Sequence, residues 1–390
     1  MKDEMVITRK IKLFPIGDKE EVDRVYTYIR DAQYTQYQCL NLLMGHLASE
    51  FYRNGKDLNS PIFKEKQKEL LKSKNPILDE IECPKGLAIK SCAAWIVRQD
   101  FSTSIKNGLA KGDRTITNYK RSYPLRTPSK FYSFYYPYTN NDELEEKIYD
   151  RDLEIYMKWV NKIHFKVILG NPHKSRILRD EFFKILSGEY KPCGSSIYIE
   201  KNNIMMNLCL KIPKKTLELD KQTVVGVALG IATPAVCATN NSSNELSIGT
   251  ADDFFFIRKK IEAQRKRLQS ALQFTAGGHG RKKKLQALSR LKKREKNFAK
   301  TYNHTVTKKI VDFAVKNKAK YIYIEDLTKE NTDAIMLRYS GFYQIQEQLK
   351  YKADKVGIEL LFTPIQEGKT DIERASKIAL CENVKKKASS

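Results

Sequence analysis

The chain has 390 residues, with 71 Lys or Arg against 46 Asp or Glu and a formal net charge of +25. At ~100–200 residues per domain this length allows two or three domains, and 41% apolar residues suffice for packed cores. A mean hydropathy of -0.54 and the lack of any apolar run of ~18 residues argue against a membrane-spanning helix, so no membrane partner is expected. The opening MKDEMVI lacks the charged-then-apolar layout of a secretion signal, which leads to a cytoplasmic, nucleoid-associated expectation. The basic excess points to a polyanionic partner, most simply nucleic acid. Cys39, Cys83, Cys92, Cys193, Cys209, Cys237 and Cys381 form no Cys-x-x-Cys pair, and the five histidines are scattered. Ordinary reduced thiols and no zinc site are expected.

In chain order, residues 6–16 read as a strand closed by Pro15 and Gly17. Helical spacing of Val22, Val25, Tyr26 and Ile29 predicts a helix over 19–52, with Asp18 as its N-cap. Further helices are predicted over 62–73 and 86–105, the last with Leu87, Ala88 and Trp95 on its core face. Residues 111–121 are basic with one aromatic, and 131–138 are aromatic-rich and β-prone, reading as barrel core. Strands follow at 163–169, 196–199 and 205–212, interrupted by a helix over 174–186. Several short strands with turn signals suggest a small barrel. If the first strand joins it, the helical segment is an insertion.

A linker over 213–222 leads into an α/β domain. The apolar run 224–232, VVGVALGIA, reads as its first buried strand, and 321–327, YIYIEDL, as a later one ending in two carboxylates. Asp371 opens a helical pattern. Between those strands, residues 258–300 carry a local net charge of about +14 (sixteen Lys/Arg against Glu262 and Glu295). Leu268, Ala271 and Leu272, then Leu285, Leu288 and Leu291, mark two basic helices. The segment 275–281, TAGGHGR, reads as the loop between them, where Gly277, Gly278 and Gly280 permit close approach of a phosphate chain.

The order of strand, helices and barrel, then VGVALG, the basic hairpin with GGHGR, NFAKTYNH at 297–304, and IEDL at 324–327 resembles the miniature type V-F CRISPR effectors, relatives of the transposon-encoded TnpB nucleases. Segments 29–34, 112–121, 338–346 and 352–358 extend the likeness over nearly the whole chain. The resemblance implies an α+β multidomain fold. A wedge-type β-barrel (1–17 and 109–218) carries a helical recognition insert (18–108). An RNase H-like RuvC α/β domain follows (219–390), with a basic helical insertion at about 254–300. It also implies a guide RNA, a double-stranded DNA target beside a short flanking motif, and a possible homodimer on one RNA. Base pairing then reads the target while protein reads shape and flanking motif.

Two departures stand out. Ala228 occupies the position where the family has a metal-bridging aspartate, whereas Glu325 and Asp371 match the second and third acids. Segment 362–371 has no cysteine where the family carries a zinc ribbon. Two-metal hydrolysis needs carboxylates to hold two cations about 4 Å apart. Loss of the bridging one costs several kcal/mol, at tenfold in rate per about 1.36 kcal/mol. The sequence therefore leads to a RuvC homologue that is not an enzyme, with cleavage near or below detection. Weak residual Mg at Glu325 and Asp371 is allowed, Mg is not required for binding, and zinc is absent. Phosphate contacts are expected from Lys111, Arg114, Lys120, Arg121, Arg258, Arg265, Arg267, Arg281, Lys282, Lys283 and Lys284, with Tyr119 stacking on a base. The expected function is RNA-guided DNA binding without cleavage. It would control transcription, by blocking RNA polymerase or recruiting it through a sigma factor. The alternatives are a Mg-dependent RNA-guided endonuclease, weakly active or inactivated by engineering at 228, and a general RNA-binding protein.

Overall fold

A computed structural model of the chain describes residues 4–72, 75–137, 140–214, 217–230, 232–327 and 341–385. Several sequence expectations touch positions outside these: Ser73, Tyr138, Lys215, Ile231 and 338–340. The chain divides into two compact units, meeting between Pro213 and Lys214. Among the described residues no helix is long and apolar enough to cross a membrane.

The first unit is organised by β1 (Glu4–Pro15), which buries Met5, Ile11 and Leu13. It pairs antiparallel with β8 (Asn203–Pro213) on one side and β5 (His164–Ile168) on the other. The first strand thus sits mid-sheet, far in sequence from both neighbours. Outward from β8 lie β7 (Ser195–Glu200) and β2 (Leu125–Thr127), and outward from β5 lie β4 (Tyr156–Lys158) and β3 (Ser133–Tyr135); β6 (Lys191–Pro192) pairs with β8. The expected barrel is in fact a curled half-barrel, because among the described residues the ladder ends at β2 and β3. Each is three residues long, and Pro124 and Pro128 bracket β2, denying it further backbone donors.

Between β1 and β2 come α1 (Lys19–Arg53), α2 (Pro61–Leu70) and α3 (Ile89–Lys106). Asp18 caps α1 as expected, in a reciprocal capping box with Glu21. Phe51 of α1 meets Phe63 of α2 and Phe101 of α3 edge-on, at 5.6 and 5.5 Å. Trp95 is not in this core: it is 45% exposed, and the Arg126 guanidinium lies 3.5 Å from its ring centroid. Helical spacing does not separate the core face from one covered by a distant cation.

A short helix, α4 (Asn141–Lys147), precedes β4, and α5 (Pro172–Leu186) follows β5. Arg179 of α5 is 2% exposed and donates to the carbonyls of Ile148, Asp150 and Gly170 at 2.8, 2.7 and 3.3 Å. Removing one side of a buried network strands its partners. Arg179→Ala is therefore expected to destabilise this unit by about 3 kcal/mol or more, read as a lower denaturation midpoint. An unchanged midpoint would show that these carbonyls are satisfied without it.

The second unit is a five-stranded sheet with spatial order β11 (Glu245–Ile248), β10 (Ala235–Thr239), β9 (Asp220–Ala228), β12 (Ala319–Glu325), β13 (Glu359–Thr363). The first three are antiparallel neighbours, while β12 runs parallel to both β9 and β13. Val225, Val227, Ile322 and Ile324 bury one face against Val306 and Ile310 of α7 (Gly278–Lys316) and Leu349 of α8 (Phe342–Lys355). Ala228, Val236 and Ala238 bury the other against Ala375 and Ile378 of α9 (Asp371–Ala379). Burial on both faces explains why β9 reads as a continuous apolar run.

Candidate functional site

Three elements end at one point of the second unit. Register pairs Val227 with Ile324, so Ala228 and Glu325 end adjacent parallel strands. Helix α9 begins at Asp371, capped by the Thr370 side chain. It lies close on β9 because Gly226 has no side chain: a Cβ there would stand 2.1 Å from the Ala375 carbonyl oxygen and 2.4 Å from the Ala379 nitrogen. The three sequence-predicted positions are thereby brought together.

Their chemistry is set by a residue that sequence reading passed over. Arg374 places Nη2 2.7 Å from Glu325 Oε2 and Nη1 2.9 Å from Asp371 Oδ1. It also reaches the Leu229 carbonyl at 3.4 Å. The second Glu325 oxygen, Oε1, accepts the Gln366 backbone N–H at 3.0 Å. Glu325 is fully buried, and Arg374 is 19% exposed by side chain. Arg374 lies one helical turn after Asp371, a spacing that does signal an i,i+3 pair; its bond to Glu325 spans 49 residues and has no local signal. Two divalent ions do not fit this arrangement. Ala228 offers no oxygen, the guanidinium lies on both carboxylates, and among the described residues no group of three His, Cys, Asp or Glu is placed to hold a metal.

The basic stretch forms a hairpin of α6 (Ala251–Gln273) and α7. At its root Phe254 packs on Phe298 and Tyr302, with centroids 5.8 and 4.8 Å apart. Farther along, Arg258 and Arg265 both pair with Glu295, at 3.3 and 3.2 Å. These two arginines tie the helices together, a use the sequence expectation had not assigned them. The expected 275–281 loop is shorter than predicted, since α7 starts at Gly278. Gly278 takes φ +79, and no atom lies within 4 Å of a Cβ built at Gly277, Gly278 or Gly280. Arg281, which is exposed, donates to the Leu272 and Thr275 carbonyls, and the half-buried Lys284 donates to the Ala271 carbonyl. They add charged donors to carbonyls at and just beyond the end of α6, where the helix dipole favours a cation. Lys282, Lys283 and Arg267 are exposed. Arg267, Arg290 and Arg294 line a groove between the helices with Leu268 and Leu291. Arg290 and Arg294 were legible only as part of a charge run; their i,i+4 spacing was the available signal.

In the first unit, Lys111, Arg114, Lys120 and Arg121 are all exposed. Tyr119 is not available to stack. It is 3% exposed, its hydroxyl donates to Asp100 at 2.9 Å, and its backbone exchanges hydrogen bonds with the Asn41 side chain. Burial, then Asp100, pushes its phenol pKa up. Polar side chains of α1 extend this clamp: Gln33 donates to the Tyr123 carbonyl and Gln36 to the Pro124 carbonyl. Arg121 lies over the Tyr34 ring at 4.8 Å. The clamp fixes the backbone at Tyr119, Tyr123 and Pro124, beside the exposed Lys120 and Arg121.

No known protein-family profile matches the sequence. The coordinates align with a solved Cas12f1–sgRNA–target DNA complex at TM-score 0.70 over 98% of this chain and 100% of that one, at 15% identity. The chain thus has the mixed α+β fold of a Cas12 effector. In sequence it is homologous to the Cas12f1 proteins, the miniature type V-F CRISPR effectors. One relative, from an uncultured archaeon, is 31% identical over 192 residues, 46% of this chain and 36% of the relative. A second, from Sulfoacidibacillus thermotolerans, is 26% identical over 261 residues, 65% of this chain and 60% of the relative. The matched regions thus span from about a third to three fifths of these relatives' lengths. Both are named CRISPR-associated endodeoxyribonuclease Cas12f1. The expectation that the chain is not an enzyme is corrected by these relatives, whose names define an enzyme class.

Proposed function

We propose that this chain is an RNA-guided effector that binds double-stranded DNA matching its guide, beside a short flanking motif. The observation that carries the reading is the exposed cation set of the α6–α7 hairpin, Arg267, Lys282, Lys283, Arg290 and Arg294, in a chain homologous to Cas12f1. A helical groove of arginines suits a phosphate backbone, and shape recognition leaves sequence to the guide. On this reading the half-barrel is the wedge domain, α1–α3 the recognition insert and the second unit an RNase H-like RuvC domain. Its strand order, third-second-first-fourth-fifth within the sheet, supports that last assignment. Binding needs no Mg, two copies share one RNA, and the complex acts in the prokaryotic cytoplasm. At a promoter it controls transcription, obstructing RNA polymerase or recruiting it through a partner such as a sigma factor.

The relatives' names favour a second reading of the same complex, Mg-dependent DNA cleavage. Glu325 and Asp371 are the carboxylates it would draw on.

One experiment separates these from a general RNA binder. The protein is purified from its native locus, its RNA sequenced, and the complex incubated with matched or scrambled duplex DNA and Mg²⁺. Retention of matched DNA through a salt wash, with loss of scrambled DNA, is the expected result. Equal retention of both would overturn guide dependence. Scission of matched DNA would establish the second reading.

A further inference from the structure

We infer that Arg374 is a built-in counter-cation for the Glu325–Asp371 pair, so that the second unit folds with this site closed by a guanidinium in place of a divalent ion. A buried carboxylate without a partner is strongly unfavourable. Glu325, fully buried, meets that demand from within the protein: it accepts from the Arg374 guanidinium at 2.7 Å and from the Gln366 backbone N–H at 3.0 Å. The same guanidinium holds Asp371 at 2.9 Å. Its planar fork suits two carboxylates approached from different elements. The remaining Asp371 oxygen lies against Gly230, 3.1 Å from where a Cβ would be. One positive charge therefore serves two negative ones, and no third carboxylate stands at Ala228 to draw a second cation in.

Two consequences follow. Arg374 is a positioning residue, because its bonds to Glu325 and the Leu229 carbonyl tie the first turn of α9 to the ends of β12 and β9. A divalent ion can enter only if that guanidinium leaves. Both hold whether or not the chain is RNA-guided, so the test uses the full chain freed of RNA.

Melting is followed in the presence and absence of millimolar Mg²⁺ or Mn²⁺. The unaltered protein is expected to show no divalent-dependent shift. Arg374→Gln is expected to melt about 5 °C or more lower. Combining it with Glu325→Gln is expected to recover part of that loss, since the double change leaves no unpaired buried charge. Ala228→Asp with Arg374→Ala, which adds a carboxylate and removes the guanidinium, is expected to gain a divalent-dependent rise in melting temperature. Stabilisation of the unaltered protein by either ion would overturn the inference. So would an Arg374→Gln protein that melts unchanged, or additive losses for the two glutamine variants. Should the Ala228→Asp/Arg374→Ala protein not fold, the ion titration of the unaltered protein and the glutamine cycle still decide.

Discussion

Gly226→Ala is expected to lower the melting temperature of the second unit by about 6–12 °C, the equivalent of ~3 kcal/mol in a unit of this size. The atoms a methyl group would meet are backbone, the Ala375 carbonyl oxygen at 2.1 Å and the Ala379 nitrogen at 2.4 Å. No rotamer change relieves them, so α9 must lift from β9. Because α9 carries Arg374, the lift also lengthens its bond to Glu325. Thermal unfolding followed by circular dichroism checks this; an unaltered transition would mean that the helix has room the packing denies. The change is small in volume and large in effect because both contacts are made by rigid elements packed face to face.

Replacing Arg267, Lys282, Lys283 and Arg290 together by alanine is expected to weaken nucleic-acid binding by roughly 10²–10³-fold at ~0.15 M salt and to reduce the salt slope of log K by about 3–4. The measurement is a salt series of equilibrium titrations with the bound RNA or an RNA–DNA duplex. These side chains are exposed or line the hairpin groove, so melting is expected to stay unchanged. Arg281→Ala provides the contrast. Arg281 caps the end of α6, and its loss is expected to loosen the turn while leaving the salt slope nearly as it was. A quadruple variant with an unchanged slope would move the phosphate path away from the hairpin.

The elements with strong local signals were legible without coordinates. Asp18 and Glu21 announce the start of α1 through the spacing of a capping box. The runs at 224–232 and 321–327 announce buried strands, which the structure places at Asp220–Ala228 and Ala319–Glu325. The acids at Glu325 and Asp371, the alanine at 228 and the basic hairpin could be placed because each sits at the boundary of such an element. The family resemblance followed from their order along the chain. Each of these signals depends on residues a few positions apart, where helix and strand periodicity act.

What the chain order left open was which partners meet across long separations. Tyr119 reads as an exposed aromatic in a basic segment, yet Asn41 and Asp100 draw it into the first unit. Trp95 reads as core and is covered by Arg126 instead. Arg258, Arg265, Arg281 and Lys284 read as phosphate ligands, and the structure also gives them partners within the hairpin, Glu295 for the first two and carbonyls near the end of α6 for the others. The open ends of the half-barrel depend on where the ladder stops, which no single strand encodes. Arg374 is the clearest case. Its sequence neighbours mark an ordinary helix, and its meaning comes from Glu325, brought to it by the parallel pairing of β9 and β12 and the close seat of α9. Local periodicity determined the elements and their charges. Only packing, which joins groups far apart in sequence and penalises any buried charge left alone, decided which of those charges remain exposed.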